Sequence, residues 1–183
     1  EIQKDGLPAR LDKTRTHWNE WIKQGDAKLT KLDSRYRSLV QKSMMVIKAH
    51  TDERGGILAS GDSSIYNYGR DYYSYVWPRD AALALWPLLR MGYKDEARRF
   101  FEFCRDVLHP DGYLQHKFQP DRAIGSTWHP LVHNNRKELA IQEDETAVVL
   151  FMLGEYYDYT GDHEFAQDLY RSLIKPAADF MAE

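Results

Sequence analysis

A chain of 183 residues with 43% hydrophobic and 13% aromatic content is long enough to bury the core of one ordinary globular domain. Its 25 basic and 28 acidic residues leave a net charge of -3, which gives no electrostatic case for nucleic acid or an anionic membrane surface as partner. No apolar run approaches the roughly 20 residues of a membrane-spanning helix, and one cysteine excludes an internal disulfide framework, so a soluble chain leaning to the cytoplasm is expected. The chain opens on Glu1 with no leader pattern before its first helix, and the expectation drawn from this is a fragment of something longer.

In chain order, residues 9–23 read as a polar connecting helix whose Trp18, Trp21 and Ile22 supply one apolar side. Ser34 opens a second helix in which Tyr36, Leu39, Val40, Met44 and Ile47 recur at spacings of three and four, ending near His50. A polar and aromatic connection follows over residues 51–76. Pro78 suits a first helical position, where its missing N–H costs nothing, so a third helix is predicted over residues 78–89 with Met91 and Gly92 closing it.

A fourth helix is predicted over residues 94–108. Its Cys104, at helical spacing with Ala97, Phe100, Phe101 and Val107, reads as a packed core thiol rather than a nucleophile. Pro110-Asp111-Gly112 signals a turn that begins a connection of about thirty residues to Leu139, longer than closure requires. Residues 143–159 form the next helix, and Asp162 caps one more, in which Pro176 should introduce a kink or a division. The pattern is all-helical, with any β structure confined to short hairpins in residues 51–76 and 110–140.

Side chains able to do chemistry collect where the third helix begins. Tyr66, Tyr68, Tyr72, Tyr73, Tyr75 and Trp77 fall within twelve residues, and such rings offer flat apolar faces beside polar tips, matching the C–H faces and hydroxyl rims of sugars. Asp80 lies in the first helical turn, where the backbone dipole alone stabilises an acid by about 0.3–1 kcal/mol. Arg79 and Asp80 project about 100° apart on a helix and are not expected to pair with each other.

Glu143, Asp144 and Glu145 open a helix together, and dipole stabilisation accounts for them more simply than an acid/base pair does. His116, His129 and His133 lack a completing ligand set, and Pro130 interrupts the pair four apart, so no metal or other cofactor is expected. Trp128, flanked by Ser126, Thr127 and His129, is open to both a core and a cleft reading.

Residues 75–82 read Tyr-Val-Trp-Pro-Arg-Asp-Ala-Ala, and this segment resembles the signature of the glucoamylase-type glycoside hydrolases of family fifteen, particularly their archaeal and bacterial branch. Three further segments agree in order: residues 55–60 (Gly-Gly-Ile-Leu-Ala-Ser), 112–117 (Gly-Tyr-Leu-Gln-His-Lys), and 125–130 (Gly-Ser-Thr-Trp-His-Pro) leading to 141–147. The resemblance spans roughly residues 39–183. It implies an (α/α)6 barrel, of which about five of twelve helices lie here, preceded by a helical linker from an N-terminal domain. The expected division is a linker region over residues 1–32 and the N-terminal part of the catalytic domain over 33–183.

By the same resemblance Trp77, Arg79 and Asp80 match residues that hold the non-reducing terminal glucose, and Tyr73 matches an aromatic position of that subsite; Trp128 is expected to converge with them because it too lies on a loop ahead of a helix N-terminus. The partner implied is an α-glucan oligosaccharide or polysaccharide. The reaction implied is inverting hydrolysis, in which an acid protonates the glycosidic oxygen and a carboxylate roughly 6.5–9.5 Å away activates water. The family's general acid stands in a Trp-Glu-Glu-like loop and its base later still; neither matches a position here, so both are expected beyond Glu183. A trehalase or dextran-type activity on the same fold stays open, as does a non-catalytic sugar-binding or regulatory barrel.

Overall fold

The computed structural model describes residues 6–61, 73–126, 132–137, 139 and 141–183. Every long element among them is helical: α1 (Leu7–Leu29), α2 (Ser34–Ala49), α3 (Pro78–Arg90), α4 (Lys94–Val107), α5 (Glu143–Thr160), α6 (His163–Leu169) and α7 (Lys175–Ala182), with a π-turn at Tyr170–Ile174 between the last two. The β content described is a two-residue-per-strand hairpin, β1 (Val132–His133) against β2 (Arg136–Lys137), plus isolated bridges. Asn134 and Asn135 turn that hairpin at φ 50° and 62°, the left-handed region that a tight hairpin turn requires and Asn tolerates.

Packing follows from the apolar stripes. α3 buries Ala81, Ala82, Leu85, Leu88 and Leu89, and α4 buries Ala97, Phe100, Phe101, Phe103 and Cys104. The three-residue turn Met91-Gly92-Tyr93 folds α4 back on α3 as a hairpin. Burying each of those phenylalanines stabilises the fold by about 1.5–3 kcal/mol relative to exposure. Cys104 is wholly buried, and burial pushes its thiol well above the ordinary range, which suits a core residue.

α5 lies beside α3 in the same direction. At one end Arg79 reaches Gln142 and Asp144, and at the other Arg90 pairs with Glu155 at 2.7 Å and the Tyr159 hydroxyl donates to the Arg90 carbonyl at 3.2 Å. The N-termini of these two parallel helices therefore share one end of the array, the arrangement that alternate helices take in an (α/α)6 barrel. Counting α6, the π-turn and α7 as one interrupted rod, α2 to α7 supply five barrel-type helices.

α1 extends six residues past its expected end and is anchored rather than free. Trp21 stacks on Tyr93 with ring centroids 4.2 Å apart and donates its indole N–H to Glu96 Oε1 at 3.0 Å. The Tyr93 hydroxyl donates to the Trp21 and Ile22 carbonyls. Gly25 permits this approach, since a Cβ there would stand 3.0 Å from Met91 Cε.

The interruption expected at Pro176 takes a particular form. Pro176 cannot donate to the carbonyl one turn before it, and the chain widens into the π-turn just ahead, where Lys175 N–H bonds the Tyr170 carbonyl. The turn signal at residues 110–112 places Gly112 at φ +89°, where a Cβ would stand 2.1 Å from the Pro176 carbonyl oxygen. The loop after α4 is thus pressed onto the α7 end of that rod.

Candidate functional site

Two features deliver Trp77 to the shared helix end. Val76 exchanges a pair of 2.8 Å backbone hydrogen bonds with Phe118, pinning the incoming chain to the loop after α4. Trp77 then stays extended at φ -91°, ψ 116°, and Pro78 starts α3. The Trp77 ring is nearly buried, with its N–H 3.3 Å from His116 Nε2, and Tyr73 lies tilted against it at a centroid separation of 5.6 Å while remaining exposed itself. Behind this pair the buried Lys117 ammonium sits 4.4 Å above the Tyr75 ring and 5.3 Å from that of Trp77, a cation on aromatic faces.

Tyr73, Trp77, Arg79 and Asp80 border one concavity of about 240 Å³, completed by Ala59, His116 and Gln142. Four of the five residues expected to act together are therefore side by side. Trp128 lies outside the described residues, as do Tyr66, Tyr68 and Tyr72. His133 belongs to the backbone of the short hairpin.

One expectation is overturned. Arg79 and Asp80 do pair: Arg79 Nη2 donates to Asp80 Oδ2 at 2.9 Å. Their Cα–Cβ directions diverge as the helix requires, but the guanidinium stands at the end of a long flexible stem and reaches around the first turn, where no earlier turn obstructs it. Its fork is shared. Nη1 donates to Gln142 Oε1 at 2.9 Å and to both Asp144 oxygens at 3.1 Å, so Arg79 ties α3 to α5 while bracing Asp80. Asp80 keeps a side chain 57% exposed at the mouth.

The acids that open α5 also depart from the simple dipole reading. Asp144 is half exposed and Arg79-bound, whereas Glu145 is completely buried. Glu145 Oε2 accepts the Arg79 backbone N–H at 2.7 Å; Oε1 accepts no hydrogen bond and stands 3.5 Å from Arg79 Nη1. Burial pushes the Glu145 carboxyl up to about 7, against the lowering by the Arg79 N–H and guanidinium, with Asp80 and Asp144 adding to the rise. A helix dipole would have lowered it; desolvation is the larger effect.

Ala59, His116 and Gln142, which line the hollow, and Glu145, which holds the Arg79 N–H from beneath it, are the residues that sequence reasoning did not assign to this site. A signal for Glu145 was present: the buried stripe Val149, Met152, Leu153, Tyr156, continued back one turn, lands on position 145.

These features define a class: a helical-barrel segment whose parallel helix N-termini carry an aromatic, carboxylate and guanidinium concavity, as in part of an (α/α)6 glycosidase domain. The chain belongs to glycosyl hydrolases family 15, whose sequence model matches residues 34–183. It is similar to a trehalase ("Trehalase 2") of Sulfolobus acidocaldarius, 28% identical over 134 residues, covering 63% of this chain and 23% of the relative. A trehalase of Thermoplasma acidophilum is 27% identical over 119 residues, covering 62% of this chain and 20% of the relative. A glucoamylase of Clostridium sp. is 28% identical over 173 residues, covering 89% of this chain and 21% of the relative. The chain spans about a fifth of the length of these curated relatives.

Proposed function

We propose that the concavity bounded by Tyr73, Trp77, Arg79 and Asp80 holds the terminal non-reducing glucose of an α-linked substrate, as the innermost subsite of an exo-acting, inverting glycoside hydrolase. The observation carrying this reading is the meeting, in a chain of this family, of the Tyr73–Trp77 ring pair and the braced Arg79–Asp80 pair in one small hollow. A ring face supplies apolar contact for the sugar's C–H face. Asp80 offers a charged acceptor to hydroxyls, worth roughly 1.5–3 kcal/mol per bond, and Arg79 a rigid donor fork.

Asp80 binds in this scheme and transfers no proton. The general acid and base are assigned outside these 183 residues. Trp128 is proposed as a further wall of the subsite, and residues 1–32 as a linker region ahead of the catalytic domain. Release of glucose from α-glucans is the leading reaction; hydrolysis of trehalose is the second, favoured by the two relatives that are named trehalases.

The test uses the complete protein that carries this chain, given maltose, a soluble maltodextrin or trehalose, with released glucose as readout. Asp80→Ala is expected to lower kcat/KM at least about 100-fold on the preferred substrate, because hydrogen bonds that tighten in the transition state are lost. Asp80→Ala at wild-type rates would remove Asp80 from the site, and trehalose turnover well above that of maltose would establish the second reading. A protein that binds sugar without releasing glucose would be the non-catalytic barrel.

A further inference from the structure

Glu145 has an arrangement that ordinary helix capping does not explain. It is fully buried, it reaches across from α5 to hold the backbone N–H of Arg79, and its second oxygen is aimed at the Arg79 guanidinium without bonding it. A buried acceptor left unbonded costs stability, about 1–3 kcal/mol, so the carboxyl is poorly placed for stability alone. It is well placed to control Arg79. We propose that Glu145 is the positioning residue of this site: seated beneath Arg79, it fixes the first turn of α3 and the guanidinium fork in the orientation that presents Arg79 and Asp80 to a sugar ring. The inference rests on the reading that this concavity binds sugar; Glu145 itself lines no part of it.

The carboxyl holds the backbone N–H in either protonation state, because its carbonyl oxygen accepts even when neutral. The ionised form adds a third carboxylate to a guanidinium already held by Asp80 and Asp144, and so pre-organises the fork. The titratable and charged groups that act on Glu145 among the described residues are Arg79 and Asp80 from α3, Asp144 on its own helix and the buried Cys104 thiol of α4. With the carboxyl held near 7, the change in pre-organisation falls within an accessible range.

The experiment measures kcat/KM from pH 5 to pH 8.5 in the complete protein for wild type, Glu145→Gln, Glu145→Ala and Asp80→Ala, with thermal melts confirming folding. Comparing each variant with wild type at the same pH cancels the titration of the catalytic pair. Glu145→Gln keeps shape and a backbone acceptor but cannot ionise, and its activity relative to wild type is expected to fall about 5-fold between pH 5 and pH 8.5. Glu145→Ala cannot ionise either and also loses the hold on the Arg79 N–H, so its ratio to wild type is expected to show the same fall with pH, with a further loss of about 10-fold at every pH.

A Glu145→Gln ratio that is flat with pH overturns the positioning role, even if activity is lower, since a general packing defect has no such step. If Glu145→Ala misfolds, the Glu145→Gln ratio alone decides. Asp80→Ala separates the two ideas. Loss with Asp80→Ala but a flat Glu145→Gln ratio refutes this inference and leaves the subsite standing, whereas wild-type behaviour of Asp80→Ala refutes the subsite itself.

Discussion

Glu145 also leaves a mark on stability, and its sign follows from the direction of its shift. Folding raises this carboxyl from an ordinary 4.5 to about 7, so between those values the folded protein holds a proton that the unfolded chain has released. The contribution is therefore fully present below about pH 4.5, declines as pH rises, and is lost once pH passes about 7. A shift of that size corresponds to about 3 kcal/mol as an upper figure. In urea unfolding, Glu145→Gln is expected to gain stability relative to wild type as pH rises across this window. Parallel curves from pH 4 to 8 would mean that Glu145 does not titrate with a raised value.

At this scale the sequence was informative where a residue type has few uses and silent where geometry decides. Trp77, Arg79 and Asp80 stood out through their motif. The Arg79–Asp80 bond did not, because helical angles describe where a side chain starts and not how far an arginine reaches.

Elements were the most legible level. Apolar spacing located α2 to α5 within a residue or so at each end, since amphipathic stripes and end signals act locally and agree with the packing. The extent of α1 was not legible, because its last two turns are largely polar in sequence and take their contacts from elsewhere in the chain: Gly25 lies against Tyr93, Asp26 accepts from Gln41 at 2.8 Å and Lys28 sits over the Tyr159 ring. The π-turn was read only as a disturbance at Pro176, the choice of relief depending on what packs around it.

The anchoring of α1 is testable. Glu96 is a buried carboxylate that collects the Trp21 indole N–H, the Lys48 ammonium at 2.8 Å and the Arg99 guanidinium. Trp21→Ala would open a cavity against Tyr93 and remove one of those donors, costing about 3–5 kcal/mol. Hydrogen exchange is expected to show the α1 amides losing protection first while those of α3 and α5 keep theirs. Unchanged protection in α1 would show that Trp21 does not hold the helix.

The molecule as a whole has one end furnished and one flank uncovered. The sugar-facing groups meet at the N-termini of α3 and α5, but a separate apolar groove of about 550 Å³ runs between α5 and the α6–α7 rod, lined by Leu150, Leu153, Ala166, Tyr170 and Ile174. Phe151 and Tyr170 are about half exposed. An apolar surface of this kind captures hydrophobic dyes. The 183-residue polypeptide expressed alone is therefore expected to enhance anilinonaphthalene sulfonate fluorescence, and a folded sample without enhancement would mean the groove is closed in solution. Chemistry is expected to be missing from the same polypeptide. Inverting hydrolysis needs an acid and a base on opposite faces of the bound ring, roughly 6.5–9.5 Å apart. The carboxylates described near the hollow, Asp80, Asp144 and Glu145, are instead gathered around one guanidinium on one side of it. Incubated with maltose, maltodextrin or trehalose, the isolated polypeptide should release no glucose above the uncatalysed rate. Sustained turnover would place a catalytic carboxylate pair within residues 1–183 and overturn the assignment of Asp80 and its neighbours to binding alone.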